Sequence, residues 1–162
     1  MMSMILKTGV TGYIGGDLSF ECAGEARILA FRRCCYSFVH QLGGEVLAWH
    51  APDIDLQYAH VRIKLDDEEL YIFHHDIYDY IAFTTNRVIT GLDFVDHALL
   101  QGLFETRYEV LMAAQLAEPL VRQSTKNGNI LLNENDLNEA ELYYMDYFSA
   151  RTVGDLVFNY YD

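Results

Sequence analysis

Three sets of residues have the types needed for chemistry. His74-His75-Asp76, with Asp79 beyond, is the densest run of potential metal ligands. If this run continues a strand, adjacent histidines leave on opposite faces, so His74 and Asp76 could share one ion while His75 could not. A site of this kind needs at least three converging groups, and His50 and His60 have no spacing that marks them as the remainder. Polar residues closing an edge strand are the simpler reading, and no metal or cofactor is expected. Cys34 and Cys35 could act with His40 as nucleophile and base, yet a separation of five or six residues on one helix does not set a base against a thiol. Buried thiols are the expectation. Carboxylates are too plentiful for any Asp–Glu pair to stand out as general acid and base, so no catalytic residue is assigned and no enzyme is expected.

The third set is marked by number rather than by position. Asp66, Asp67, Glu68, Glu69, Asp76 and Asp79 place six carboxylates in fourteen residues with no Lys or Arg among them. Glu134, Asp136, Glu139, Glu141 and Asp146 form a second unbalanced set. Over the whole chain 11 Lys and Arg face 24 Asp and Glu, a net charge of −13. That field opposes nucleic-acid phosphates and anionic membranes and favours a basic protein partner, whose association it would speed. Solvated turns and helix caps account for part of the imbalance. Tyr71, Tyr78, Tyr80, Tyr143 and Tyr144 are interleaved with the acids and would supply apolar anchors. The candidate partner-binding site is therefore Asp66, Asp67, Glu68 and Glu69 with Asp76 and Asp79.

The elements that must position these groups follow from periodicity. At 162 residues and 51% apolar content the chain suits one domain, residues 1–162, with a full core. Apolar positions from 26 to 42 keep helical spacing and Gly43-Gly44 ends them, giving an N-terminal helix. A short strand is expected at 45–49. Val61, Ile63 and Leu65 alternate with polar residues, Leu70 to Phe73 resume, and the four acids between form a hairpin tip. With a third strand at 78–84, the middle of the chain reads as an antiparallel sheet. Beyond residue 91 the pattern turns helical: a helix from Phe94 to Phe104 capped by Asp93, a second from Tyr108 to about Pro119, a polar loop at 124–128, and a helix opened by the pair Asp136 and Glu139. In that last helix Leu137, Ala140, Tyr144, Tyr147 and Phe148 share a face. Thr152 with Asp155 then caps a short final helix whose Val153, Leu156, Val157 and Tyr160 form one apolar stripe that must dock on the body. The fold class expected is α+β. An odd number of cysteines, two of them adjacent, points to a reduced, cytoplasmic chain, and no signal-peptide pattern or membrane-length apolar run is present.

Two short resemblances add to this reading. Thr8-Gly9-Val10-Thr11-Gly12-Tyr13-Ile14-Gly15-Gly16 resembles the glycine-rich turn of short-chain dehydrogenases. That resemblance implies that Gly9, Gly12 and Gly15 let the backbone approach a dinucleotide pyrophosphate, with Arg32 and Arg33 near a 2′-phosphate. A Gly-rich bend between two strands, 5–11 and 13–20, explains the same residues. At the other end, Thr152-Val153-Gly154-Asp155-Leu156-Val157-Phe158-Asn159-Tyr160-Tyr161-Asp162 resembles the ending of small bacterial immunity proteins of polymorphic and contact-dependent growth inhibition toxin systems, with Tyr161 where that pattern has Trp. This second resemblance implies a cytoplasmic, non-enzymatic protein that blocks one cognate toxin domain, commonly a nuclease with a basic cleft. The immunity reading leads, and the NAD(P)-binding reading is the alternative.

Overall fold

The computed structural model describes residues 4–11, 25–51, 58–75, 77–85 and 93–158. Helix α1 spans Glu25–Gln41 and buries Phe31, Cys34, Cys35 and Val39 along one stripe. Gly43 ends it in the left-handed region at φ +75, its N–H donating to the His40 carbonyl while that of Gly44 donates to Val39. Strands β1 (Glu45–His50), β2 (Tyr58–Leu65), β3 (Glu68–His75) and β4 (Tyr80–Thr84) then form an antiparallel meander in chain order. The expected hairpin, third strand and N-terminal helix are all found, within about two residues at their ends.

Alternation decides which residues face which layer. Val61 and Ile63 of β2, Leu70 and Ile72 of β3, and Ile81 and Phe83 of β4 pack beneath α1 and the short helix α2 (Ala98–Phe104). Tyr58, Phe73, Tyr80 and Ala82 point to the other face, where they meet the C-terminal elements and Leu6 and Val10 of the N-terminal segment. The central strands are therefore buried on both sides over most of their length, β4 throughout and β2 and β3 away from the hairpin tip. On the second face lie α3 (Ala113–Leu116), α4 (Glu139–Tyr147) and α5 (Val153–Val157).

The final helix is capped as its sequence requires. The Thr152 hydroxyl accepts from the Asp155 N–H at 3.3 Å, and the Asp155 carboxylate accepts from Thr152 at 3.1 Å and from Arg151 at 2.9 Å. Val153, Leu156 and Val157 are buried, while Tyr160 lies outside the described residues. Among the described residues no helix is long and apolar enough to cross a membrane.

Several expectations in the second half are corrected. Phe94–Val95 is not the start of a helix but strand β5, paired antiparallel with Phe83 and Thr84, and the α2 cap is His97 rather than Asp93. Glu109–Val110 is strand β6, paired in parallel with Tyr80 and Ile81, which leaves only Ala113–Leu116 of the second expected helix. In both cases an open sheet edge takes residues that local periodicity assigned to a helix. The polar stretch at 124–128 is a turn inside a two-stranded ribbon of β7 (Arg122–Thr125) and β8 (Gly128–Leu131). The cap of α4 sits two residues later than expected, Asn138 with Glu141 in place of Asp136 with Glu139. At the N-terminus, Leu6 makes one isolated parallel bridge with Asn135 in place of a strand, and residues 12–20 lie outside the described part.

Candidate partner-binding surface

The β2–β3 hairpin keeps four of the candidate acids together. Leu65 pairs with Glu68, so the loop is the two residues Asp66 and Asp67, at φ +48 and +67. Two consecutive left-handed residues are the type I′ signature, which Asp tolerates better than most side chains. Asp66, Asp67, Glu68 and Glu69 are all exposed. Among the described residues only loose partners reach them: Lys64 stands 3.9 Å from Asp67, and Arg62 3.5 Å from Glu69, all at the surface. Ion pairs of that kind contribute little to stability.

Asp79 does not belong to this patch. It stands beyond the far end of β3, roughly 20 Å from Glu69 along the strand, and Asp76 lies outside the described residues. One Asp79 oxygen meets both His74 Nε2 and an Arg27 amine at 2.8 Å. The His74 hydrogen bond first, and the Arg27 guanidinium after it, hold the Asp79 carboxyl down at about 2. His74 is fully buried, its ring stacked at 4.7 Å on Phe31 of α1. Asp79 is thus the outer end of a hydrogen-bonded chain that pins the N-terminal turn of α1 to the sheet.

His75 leaves β3 on the opposite face, as strand alternation requires. Its Nδ1 accepts from the N–H groups of Ile77 and Tyr78 at 3.1 and 3.0 Å, so Nε2 carries the proton and donates to the Val10 carbonyl at 2.6 Å. Burial lowers its pKa to about 4, which keeps the ring neutral. The two histidines therefore brace separate layers. Among the described residues no three His, Cys, Asp or Glu side chains converge as metal ligands.

The glycine-rich turn holds an internal carboxylate. Gly9, at φ +89, donates its N–H to Glu141 Oε1 at 2.9 Å, while the Thr11 N–H and hydroxyl donate to Oε2 at 3.1 and 2.6 Å. Glu141 Oε1 also accepts from Asn138 N–H at 3.2 Å, and the whole residue is buried. The turn is an anion cradle of the kind the glycines suggested, with the anion supplied by this chain. The N–H of Gly9 is committed to Glu141, and Gly12 and Gly15 lie outside the described residues. Arg32 and Arg33 lie on the exposed side of α1 instead of at a strand end, and Arg32 stands over the Trp49 ring at 5.4 Å.

The thiols follow the buried reading. Cys35 is fully buried and burial pushes its thiol well up. Cys34 is also buried, with an Arg107 amine 3.8 Å from its sulfur, whereas His40 is exposed.

Of the expected aromatic anchors, Tyr143 is exposed, Tyr71 and Tyr144 are half-buried, and the other two are engaged within the fold. Tyr80 is buried, and Tyr78 donates its hydroxyl to the Thr8 carbonyl at 2.6 Å. On α4, Glu141 and Met145 form the buried stripe. Tyr147 and Phe148, assigned to the inward face by their spacing, are instead 67% and 37% exposed, and Tyr143 is 63% exposed. The helix is rotated because a Glu, not a Tyr, plugs the core. The signal that could have shown this is the Asn138–Glu141 capping pair, which fixes the position of Glu141 one turn into the helix. The exposed rings contact one another, with Tyr143 stacked on Tyr147 at 6.3 Å and Phe148 edge-on to Tyr147 at 4.9 Å. No protein-family model matches the chain, and no curated protein or solved structure shows significant similarity to it.

Proposed function

We propose that this protein is a cytoplasmic immunity protein that binds a cognate toxin domain and neutralises it. The partner is basic, of the nuclease type, and is met by an acidic and Tyr-bearing surface. The observation that carries this reading is the hairpin tip, where four adjacent carboxylates stand exposed on a tight turn with only loose cationic partners. With a net charge of −13 behind it, such a tip speeds encounter with a cationic cleft and repels nucleic acid. The resemblance of residues 152–162 to immunity-protein endings supports the same class. The NAD(P)-binding alternative is weaker, since the Gly9 N–H already serves Glu141. The test is co-expression with the toxin domain encoded next to this chain. Rescue of growth and co-purification of the pair are expected, and the double reversal E68K/E69K slows association several-fold without changing the fold. Failure of the wild-type protein to bind or neutralise that neighbour sinks the proposal.

A further inference from the structure

Helix α4 presents a surface that the hairpin tip does not explain. Glu139, Tyr143 and Tyr147 recur at four-residue intervals, which stacks them along one side of the helix. All three are exposed, and Phe148 extends the ring cluster at its C-terminal end. Aromatic side chains in mutual contact have already lost rotamer freedom, so a partner that covers them loses less entropy on binding. Exposed rings grouped in this way mark interaction surfaces more often than scattered single residues do.

The charge around the rings indicates what covers them. Glu134, Asp136 and Glu139 are exposed, and among the described residues no Lys, Arg or His forms an ion pair with any of them. α4 itself carries no basic residue, and the nearby Arg122 already binds Asp146 at 2.8 Å. A carboxylate one helical turn from exposed rings, as Glu139 is from Tyr143, suits a guanidinium or ammonium group, which gains from both.

We infer that the Glu139–Tyr143–Tyr147 stripe with Phe148, preceded along the chain by the exposed Glu134 and Asp136, docks an Arg- or Lys-bearing segment of the toxin domain. This rests on the immunity reading and adds to it a second contact, separate from the hairpin tip. α4 begins at the opposite pole of the sheet, where Glu141 meets the turn that His75 also holds. The tip steers the partner, and the rings of α4 supply the desolvated anchor.

The experiment is a titration of the toxin domain encoded next to this chain against the full-length protein and two double variants. Y143A/Y147A raises Kd about ten-fold or more, as expected for aromatic hot spots, with an unchanged thermal midpoint because both rings are exposed. E134K/E139K, which leaves every ring in place, slows association several-fold and steepens with lower salt. Wild-type affinity in Y143A/Y147A together with an unchanged on-rate in E134K/E139K overturns the α4 assignment while the immunity reading stands. No binding by the wild-type protein overturns the immunity reading itself, and this inference with it.

Discussion

Glu141 and Glu68 lie in the two acidic stretches of the chain and belong to different physical regimes. Glu141 is fully buried and accepts from Gly9, Thr11 and Asn138, tying the N-terminal turn to α4. Glu68 sits exposed at the hairpin tip, and among the described residues its side chain makes no hydrogen bond or ion pair. Between them lie intermediate cases: Asp79 holds His74 and Arg27, and Asp155 caps α5. A carboxylate surrounded by donors is structural, and one left in water is available to a partner. Local charge balance does not distinguish them, because the donors come from remote segments.

The comparison can be broken most directly at Glu141. Glu141→Ala leaves two buried N–H groups and a hydroxyl at the turn without their acceptor, a loss of roughly 4 kcal/mol measurable by urea denaturation. Equal losses for Glu141→Ala and Glu68→Ala would erase the distinction. The base on the same turn gives the next largest effect. His75 titrates near 4 when folded against 6.5 when unfolded, so the unfolded chain takes up the proton first as the solution is acidified. Stability is complete above pH 6.5 and falls as pH drops toward 4, by about 3 kcal/mol from this residue. The urea midpoint of wild type should show this slope and that of His75→Gln should lose most of it.

Asp79→Ala strips the partner from buried His74 and releases Arg27, costing about 1–2 kcal/mol. Because the Asp79 carboxyl titrates at about 2 against an ordinary 3.8, its contribution persists above pH 3.8 and fades only as pH falls from there toward 2. Asp155→Ala removes half of the α5 capping box for about 1 kcal/mol, read as a small shift of the thermal midpoint. Glu68→Ala changes stability by less than about 0.5 kcal/mol, so its effect should be confined to association rates.

The elements built from local contacts were legible in the sequence. α1, the β2–β3 hairpin, β4 and the Thr152–Asp155 box all rest on periodicity or on capping between residues three apart. What was missed depends on partners far along the chain. Phe94–Val95 becomes a strand only because β4 offers it an edge, and the ring face of α4 turns outward only because Gly9 and Thr11 draw Glu141 inward. The candidate site divided in the same way: the contiguous acids stayed together, while Asp79 was separated from them by the length of β3 and engaged by a histidine and an arginine.

The bond between Gly9 and Glu141 spans 132 residues of chain. During synthesis at 5–20 residues per second, the turn must wait on the order of ten seconds for its carboxylate to be made. Until then the N–H groups of Gly9 and Thr11 face solvent or a transient substitute. The nascent protein can assemble α1 on the meander early, but its second layer closes only when α4 and α5 have left the ribosome.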